Sequence, residues 1–376
     1  MSYTSIDKLT TRAEKNPLEV AQAKEKGTKV FGFYCLYSPV EIALAAGGIV
    51  VGLCGTRNDP IPAAERTLPR NLCPLIKSSF GFAVEDSCPY FKSADLIVAD
   101  STCDGKKKMF EQMAEIKPLH LMYLPHNQEL DVTGPFWEGE VVRFKERVEQ
   151  ECGINITDEM LKEAIKLTNR EAAALKGLMD LNQQNPAPIS GMKMMEIVFK
   201  SGFFASKQES VECLEAIVDE VGKAPQEETK QGPRVIISGV PMGLGSHKVC
   251  QLIEEAGGVV VAFENCTGYK KTMQVDTEKA PITALAEKYL ATPCSIMSPN
   301  PGRIDLLNTM IADFKADAIV DLTWQACHTY NVEAENIRKY VQDDKKMPYL
   351  HIETDYSDAD TEQLRVRIEA FLEMIG

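Results

Sequence analysis

Three cysteines follow one another at an equal spacing of fifteen residues: Cys73, Cys88 and Cys103. Each stands at the edge of a predicted helix or strand, where a thiolate can turn toward a cleft. Cys103 comes after a predicted buried strand over Ala94–Ala99 and before a predicted helix over Lys106–Glu115. The free N–H groups of a helix start and the neighbouring lysines both favour a charged thiolate. We therefore expect Cys103 to be a metal ligand or a reactive thiol.

The spacing of these cysteines excludes several common sites. None of the intervals is C-x-x-C, which disfavours a zinc ribbon, a thioredoxin-like redox pair and the bacterial ferredoxin motif. Each cysteine taken singly is more often a small buried apolar residue than a ligand. The cysteines together are best explained by an iron–sulfur cubane, in which three protein thiolates leave one iron open.

Composition limits the functional classes. The chain has 376 residues and a formal net charge of -14, which opposes nucleic-acid binding because phosphates require a basic face. The first residues lack a signal-peptide pattern, and no apolar run reaches the length of a membrane span. We expect a cytoplasmic protein whose eleven cysteines are not a disulfide framework.

Strands alternate with helices in two parts of the chain, which predicts an α/β fold. We expect two Rossmann-like parallel-sheet domains that face a cleft and are linked by a helical segment. The predicted boundaries are residues 1–134 for the first α/β domain, 135–232 for the helical segment and 233–376 for the second α/β domain. A capping box over Ser38–Glu41 predicts a helix start, and Ala224–Pro233 is predicted to be a polar linker.

Unusual residues gather at the predicted strand ends. Cys35 lies directly past the first strand, and Cys54 ends the next strand, where we expect it to be packed. In the second half, the loops Asn265–Gly268 and Gln325–His328 also follow strands. Open parallel sheets bind ligands beyond the carboxyl ends of their strands, so both halves direct cysteines to such a crevice.

Other polar residues leave alternatives open. His328 is either a proton donor beside a reactive centre or a helix-capping ring, and Glu353 and Asp355 either relay protons or form a solvated turn. Lys106–Lys108 is either a solvated helix face or a response to a local need for positive charge. The loop Gly239–Gly245 does not match G-x-G-x-x-G, which disfavours nucleotide binding.

Several motifs along the chain together resemble one superfamily. They are NLCPLIKSSFGF, STCDGKKKMFE, ISGVPMGLGSHKV, ENCTGYK, QACHTYNVEA and IETDYSDADTEQLRVRIEAFLE. With them the chain resembles the 2-hydroxyacyl-CoA dehydratase and benzoyl-CoA reductase superfamily, and within it the double-cubane cluster proteins. The resemblance spans nearly the whole chain.

The resemblance implies a set of site residues. One cubane is held at the positions of Cys73, Cys103 and Cys327. For the second cubane of a double-cubane 8Fe-9S cluster the candidates are Cys35, Cys88 and Cys294, with Cys266 in reserve. His328, Glu353 and Lys106 are the candidate catalytic residues.

The resemblance also implies an activity and partners. It implies an ATP-dependent low-potential reductase of small molecules, which receives electrons from a separate ATP-hydrolysing activator that carries its own 4Fe-4S cluster. The sequence has no P-loop, which fits ATP hydrolysis on the activator. It implies a homodimer. Two alternatives remain: a 2-hydroxyacyl-CoA dehydratase subunit with one 4Fe-4S cluster, and a non-catalytic protein that stores electrons.

Overall fold

Eight parallel strands form two four-stranded sheets in the computed structural model, which describes residues 3–224 and 231–375. The first sheet has the order β2-β1-β3-β4 and the second the order β6-β5-β7-β8, so the two sheets repeat one topology. The strands are β1 Val30–Phe33, β2 Ile49–Gly52, β3 Leu96–Asp100, β4 Leu119–Met122, β5 Arg234–Gly239, β6 Val259–Phe263, β7 Ala318–Trp324 and β8 Tyr349–Thr354.

Fifteen α-helices lie in the part of the chain that the structure describes. They are α1 Thr4–Glu25, α2 Val40–Ala45, α3 Ile61–Ala64, α4 Pro74–Val84, α5 Pro89–Ser93, α6 Asp104–Met113, α7 Leu130–Cys152, α8 Asp158–Asp180, α9 Gly191–Ser201, α10 Lys207–Lys223, α11 Lys248–Glu255, α12 Pro281–Leu290, α13 Pro301–Asp313, α14 His328–Arg338 and α15 Thr361–Glu373. Within residues 3–224 and 231–375, no helix has the length and apolarity needed to cross a membrane.

The central strands of both sheets are buried on both faces. Every residue of β1, β3, β5 and β7 is buried, in line with their content of Val, Ile, Leu and Phe. Parallel sheets need helices on both faces, which explains why these strands are apolar without alternation. The predicted fold, an α/β architecture with two Rossmann-like domains, is confirmed.

A group of helices joins the two sheets. The long helices α7 and α8 follow the first sheet, and α8 packs against α2 and α10, while α1 packs against α9 and α10. Helix α10 is capped at its start, since the Ser206 hydroxyl accepts a hydrogen bond from the Glu209 backbone N–H. The predicted linker Ala224–Pro233 falls mostly on residues 225–230, outside the described residues. The domain boundaries at 134 and 232 stay a prediction.

The predicted capping box at the start of α2 is wrong. Pro39 occupies the N-cap position, and Ser38 donates a hydrogen bond to the Asp100 carboxylate instead of capping the helix. Glu41 is buried and accepts hydrogen bonds from the hydroxyls of Thr168 and Tyr289. Both side chains have therefore become part of the tertiary core, which ties α2 to β3, α8 and α12.

Candidate functional site

The carboxyl ends of both sheets contribute cysteines to one crevice. Cys35 follows β1 and Cys103 follows β3 in the first sheet, while Cys266 follows β6 and Cys327 follows β7 in the second. Cys103 and Cys327 occupy equivalent places, because each lies after the third strand of its sheet and forms the N-cap of the next helix. Such crevices are where open α/β sheets bind ligands.

Three cysteines at helix starts form what we call the first cysteine group: Cys73, Cys103 and Cys327. They are the N-cap residues of α4, α6 and α14. Cys73 and Cys327 lie close enough for each thiol to shift the pKa of the other, and Cys103 lies within electrostatic range of both. Because the first N–H groups of a helix have no partner inside the helix, each of these sulfurs faces backbone donors.

Cys73 and Cys327 of the first cysteine group have opposite pKa shifts. The interaction with Cys327 holds the pKa of Cys73 below its ordinary value, and the same interaction raises the pKa of Cys327. Burial raises the pKa of Cys103, although the Lys106 backbone N–H and ammonium oppose that effect. The helix start and Lys106 do favour the Cys103 thiolate, as predicted, but desolvation outweighs them.

Three cysteines in loops form the second cysteine group: Cys35, Cys266 and Cys294. Cys266 and Cys294 lie close enough for each thiol to shift the pKa of the other, and Cys35 interacts electrostatically with both. The interaction with Cys266, helped by Lys270, lowers the pKa of Cys294 to about 5. Burial raises the pKa of Cys35 to about 12. Cys35 also adopts a left-handed φ of 78°, a strained backbone state for a non-glycine residue.

The two cysteine groups adjoin each other, with the Lys106 side chain beside both. Cys103 of the first group lies within electrostatic range of Cys294 of the second. Lys106 is only 8% exposed, and it has no ion pair among the described residues; its ammonium lies 5.9 Å from the Phe110 ring centre. Burial is the largest influence and lowers its pKa, but Cys35, two other thiols and a carboxylate together raise it. An isolated buried ammonium indicates that the site is built for a negatively charged group.

Cys88 is not brought together with the other candidate ligands. It is the N-cap of α5, and its thiol faces the backbone N–H groups of Phe91 and Tyr90 and the charge of Asp86. No other cysteine of the described chain shifts its pKa, whereas burial raises it. Cys266, which was held in reserve, occupies the position in the second cysteine group instead.

The predicted proton-transfer residues lie at the surface. His328 is exposed at the start of α14, and Glu353 is exposed on β8, where it accepts a hydrogen bond from Asn331 at 3.0 Å. Neither residue lines the cavity beside the second cysteine group. Their catalytic role stays a prediction, while Lys106 of the same predicted set lies inside the site. Cys54 was expected to be packed, but it lies on the cavity wall.

A buried network of charges stands behind the second cysteine group. The Lys270 ammonium lies 2.6 Å from the Glu264 carboxylate, and both side chains are completely buried. Arg303 also contacts Glu264, at 3.4 Å, and its guanidinium stacks over the Tyr330 ring at 5.0 Å. The Tyr330 hydroxyl lies 3.9 Å from Cys294 Sγ. The Arg303 guanidinium thereby positions the Tyr330 ring, whose hydroxyl faces Cys294 Sγ.

The glycine loop Gly239–Gly245 brings the two halves of the chain into contact. A Cβ on Gly243 would lie 2.8 Å from Thr56 and 2.7 Å from Phe199. The Thr56 hydroxyl donates to the Leu244 carbonyl across the same contact. The glycines allow this close approach beside the site, which agrees with the preference for a packing role over nucleotide binding.

The six thiols are the type of ligand that an iron–sulfur cluster takes. Among residues 3–224 and 231–375, no group of three or more His, Cys, Asp or Glu side chains is arranged to hold a metal ion. A cubane binds each protein thiolate through a different iron, so its ligands need not converge on one point. The two adjacent groups of three thiols, with a buried lysine beside them, are the residues that could hold such clusters.

Comparison with known proteins identifies the relatives. Residues 35–375 match the sequence profile of the family described as 2-hydroxyglutaryl-CoA dehydratase, D-component. The Escherichia coli (strain K12) protein named as dehydratase subunit YjiM is 43% identical, over 98% of this chain and 97% of its own length. The (R)-phenyllactyl-CoA dehydratase beta subunit of Clostridium sporogenes is 25% identical, over 94% and 93%. One of the subunits of the Thauera aromatica benzoyl-CoA reductase is 22% identical, over 56% and 54%.

Proposed function

Because the chain belongs to the 2-hydroxyglutaryl-CoA dehydratase D-component family, we propose that it is an iron–sulfur reductase carrying a double-cubane 8Fe-9S cluster. The first cysteine group holds one cubane, and the second cysteine group holds the other. The observation that supports this proposal is the pair of adjacent three-thiol groups at the carboxyl ends of the two sheets. Cys266 replaces Cys88 in this ligand set because the Cys266 thiol lies beside that of Cys294, whereas Cys88 contacts no other candidate ligand.

The side chains around the six thiols have distinct tasks in this proposal. Such a centre, when bound, supplies electrons at low potential. Lys106 offsets negative charge between the two groups. The helix N–H groups stabilise the thiolates of the first group, and Tyr330 and Lys270 stabilise Cys294.

Electrons reach the chain, in this proposal, from a separate ATP-hydrolysing activator with its own 4Fe-4S cluster. The absence of a P-loop sequence supports placing ATP hydrolysis on that partner. We further propose a cytoplasmic homodimer. Mixing the chain with the activator should give reduction only when ATP is hydrolysed; equal reduction with a non-hydrolysable ATP analogue would contradict this coupling.

A second candidate function is a 2-hydroxyacyl-CoA dehydratase subunit with one 4Fe-4S cluster. The name of the Clostridium sporogenes relative, a dehydratase beta subunit, favours it. That function uses only the first cysteine group, so it leaves the neighbouring thiols of Cys266 and Cys294 without a role. A non-catalytic protein for electron storage would use both groups but would show no turnover.

Iron and sulfide quantification on the anaerobically purified chain tests the proposal. We expect roughly eight irons and nine sulfides per chain for two bridged cubanes. About four irons per chain would favour the dehydratase function instead. Protein concentration should be fixed by amino-acid analysis, because cluster absorbance overlaps the usual protein absorbance.

A further inference from the structure

A small cavity adjoins the second cysteine group. Its volume is about 270 Å³, and Cys35, Cys54 and Cys266 lie on its wall. That volume is slightly below the roughly 300–1,000 Å³ of pockets that hold drug-sized ligands. Coenzyme A is larger than a drug-sized ligand. The cavity therefore suits a molecule with a few carbon atoms.

Most of the cavity wall is apolar. Side chains from β1, β2 and the helices around them cover it, and they include Phe33, Val51, Leu53, Leu175, Phe199 and Met242. A hydrated inorganic ion would leave these side chains without contacts. An apolar body removes their surface from water at roughly 25 cal/mol per Å². The wall therefore favours a ligand with a hydrocarbon part.

One side of the cavity carries an excess of positive charge. The Lys207 ammonium donates to the Glu171 carboxylate at 2.9 Å, and Lys271 shares the field of that same carboxylate. Lys271 has no ion pair or side-chain hydrogen bond within the described part of the chain, and burial lowers its pKa. Of the other lysines at the wall, Lys288 faces Glu41 at 3.6 Å and Lys270 pairs with Glu264. Lys106 lies on the side of the two cysteine groups. Two ammonium groups thus share Glu171, which leaves one positive charge for a ligand.

We propose that the cavity binds a small aliphatic carboxylate, with its carboxylate on Lys271 and its hydrocarbon part against the apolar wall. This names the substrate class of the reductase and so rests on the proposed function. A carboxylate supplies the negative charge that Lys271 lacks, and a short chain fills the rest of the cavity. Because Cys266 and Lys271 both line the cavity, the bound molecule would lie beside the second cysteine group.

Calorimetric titration of the full anaerobic chain with crotonate tests the assignment. We expect saturable binding at one site per chain and roughly tenfold weaker binding to Lys271→Gln, which corresponds to about 1.4 kcal/mol. Lys279→Gln is the matched control, because Lys279 pairs with Glu287 on the surface and does not line the cavity. Neutral crotonamide should bind the wild type at least roughly tenfold more weakly than crotonate.

A second variant tests the volume rather than the charge. Ala172 is buried and lines the cavity, so Ala172→Leu should abolish crotonate binding while leaving Lys271 in place. Equal crotonate affinity of the wild type, Lys271→Gln and Ala172→Leu would overturn the assignment, as would the absence of saturable binding to the wild type. Iron content, measured on the same samples, distinguishes the carboxylate site from the double-cubane function. Crotonate binding to a chain with only about four irons would support the carboxylate site and contradict the double cubane.

Discussion

The first and second cysteine groups hold their sulfurs by different means. In the first group, Cys73, Cys103 and Cys327 are all helix N-caps, so backbone N–H groups face the sulfurs. In the second group the sulfurs lie on loops, and the Lys270 and Tyr330 side chains act on Cys294 together with the Ile296 backbone N–H. Backbone donors keep their direction when side chains change, whereas a charge network depends on every member.

The two groups also differ in what surrounds them. The two groups are equally buried, because each has one buried cysteine and two of intermediate exposure. Only the second group adjoins the small cavity and the buried pair of Lys270 and Glu264. We infer that electrons reach the substrate from the second group. The predictions that follow each change one group and leave the other as the internal control.

Replacing a ligand of the second group should have the largest effect. Cys266→Ala removes a proposed ligand of the second cubane, whose thiol lies beside that of Cys294. We therefore expect the iron content to fall from roughly eight to about four per chain. Cys88→Ala is the matched control, because Cys88 is half-buried like Cys266 but contacts no other candidate ligand. Equal iron loss in both variants would refute the separation of the two groups.

Replacing the lysine beside both groups should have the next largest effect. Lys106 is buried without an ion pair in the described part of the chain, so Lys106→Met should leave the iron-free chain as stable or more stable. The iron-loaded chain should lose roughly 3 kcal/mol, because a buried negative centre then lacks its cation. Thermal unfolding of both forms measures this difference.

The control for that variant is Lys107→Met. Lys107 forms an exposed pair with Asp104 at 2.9 Å, and such pairs contribute little to stability. It should unfold like the wild type in both forms. If Lys106→Met destabilised the iron-free and iron-loaded chains equally, Lys106 would be a structural residue and not a partner of the bound centre.

Removing one hydroxyl from the second group should have the smallest effect. Tyr330→Phe deletes the hydroxyl that lies 3.9 Å from Cys294 Sγ and leaves the ring over which Arg303 stacks. The iron content should not change. A hydrogen bond worth roughly 0.5 to 1 kcal/mol corresponds to a one-electron potential about 20–45 mV more negative. Potentiometric titration measures the shift, and Tyr340→Phe, whose hydroxyl bonds to Asn308, should show none.

Much of the fold could be predicted from local sequence patterns. The apolar runs that became β3 and β7 have a composition typical of buried parallel strands, and their positions between helical patterns indicated the two sheets. The helix α4 was missed although Pro74 marks its first turn, because Cys73 is not a usual N-cap residue. The capping box at Ser38 failed because Asp100, far away in sequence, binds that hydroxyl.

The candidate site was harder to predict than the fold. The equal spacing of Cys73, Cys88 and Cys103 suggested that Cys88 serves a second cubane close to the first, but spacing along a chain does not fix distance once α4 and α5 intervene. Cys266 and Cys294 meet because two loops of the second half fold onto each other, and no local pattern encodes that contact. The position of Cys266 after β6, at the ligand-binding end of the sheet, was the signal that could have identified it.

The positions of the irons test the central claim most directly. Crystals of the anaerobic chain, measured on either side of the iron absorption edge, should show two sets of four anomalous peaks for two cubanes. We predict one set between Cys73, Cys103 and Cys327, and the other beside Cys35, Cys266 and Cys294. A single set of iron peaks at the first cysteine group, with no iron beside Cys266 and Cys294, would contradict the account.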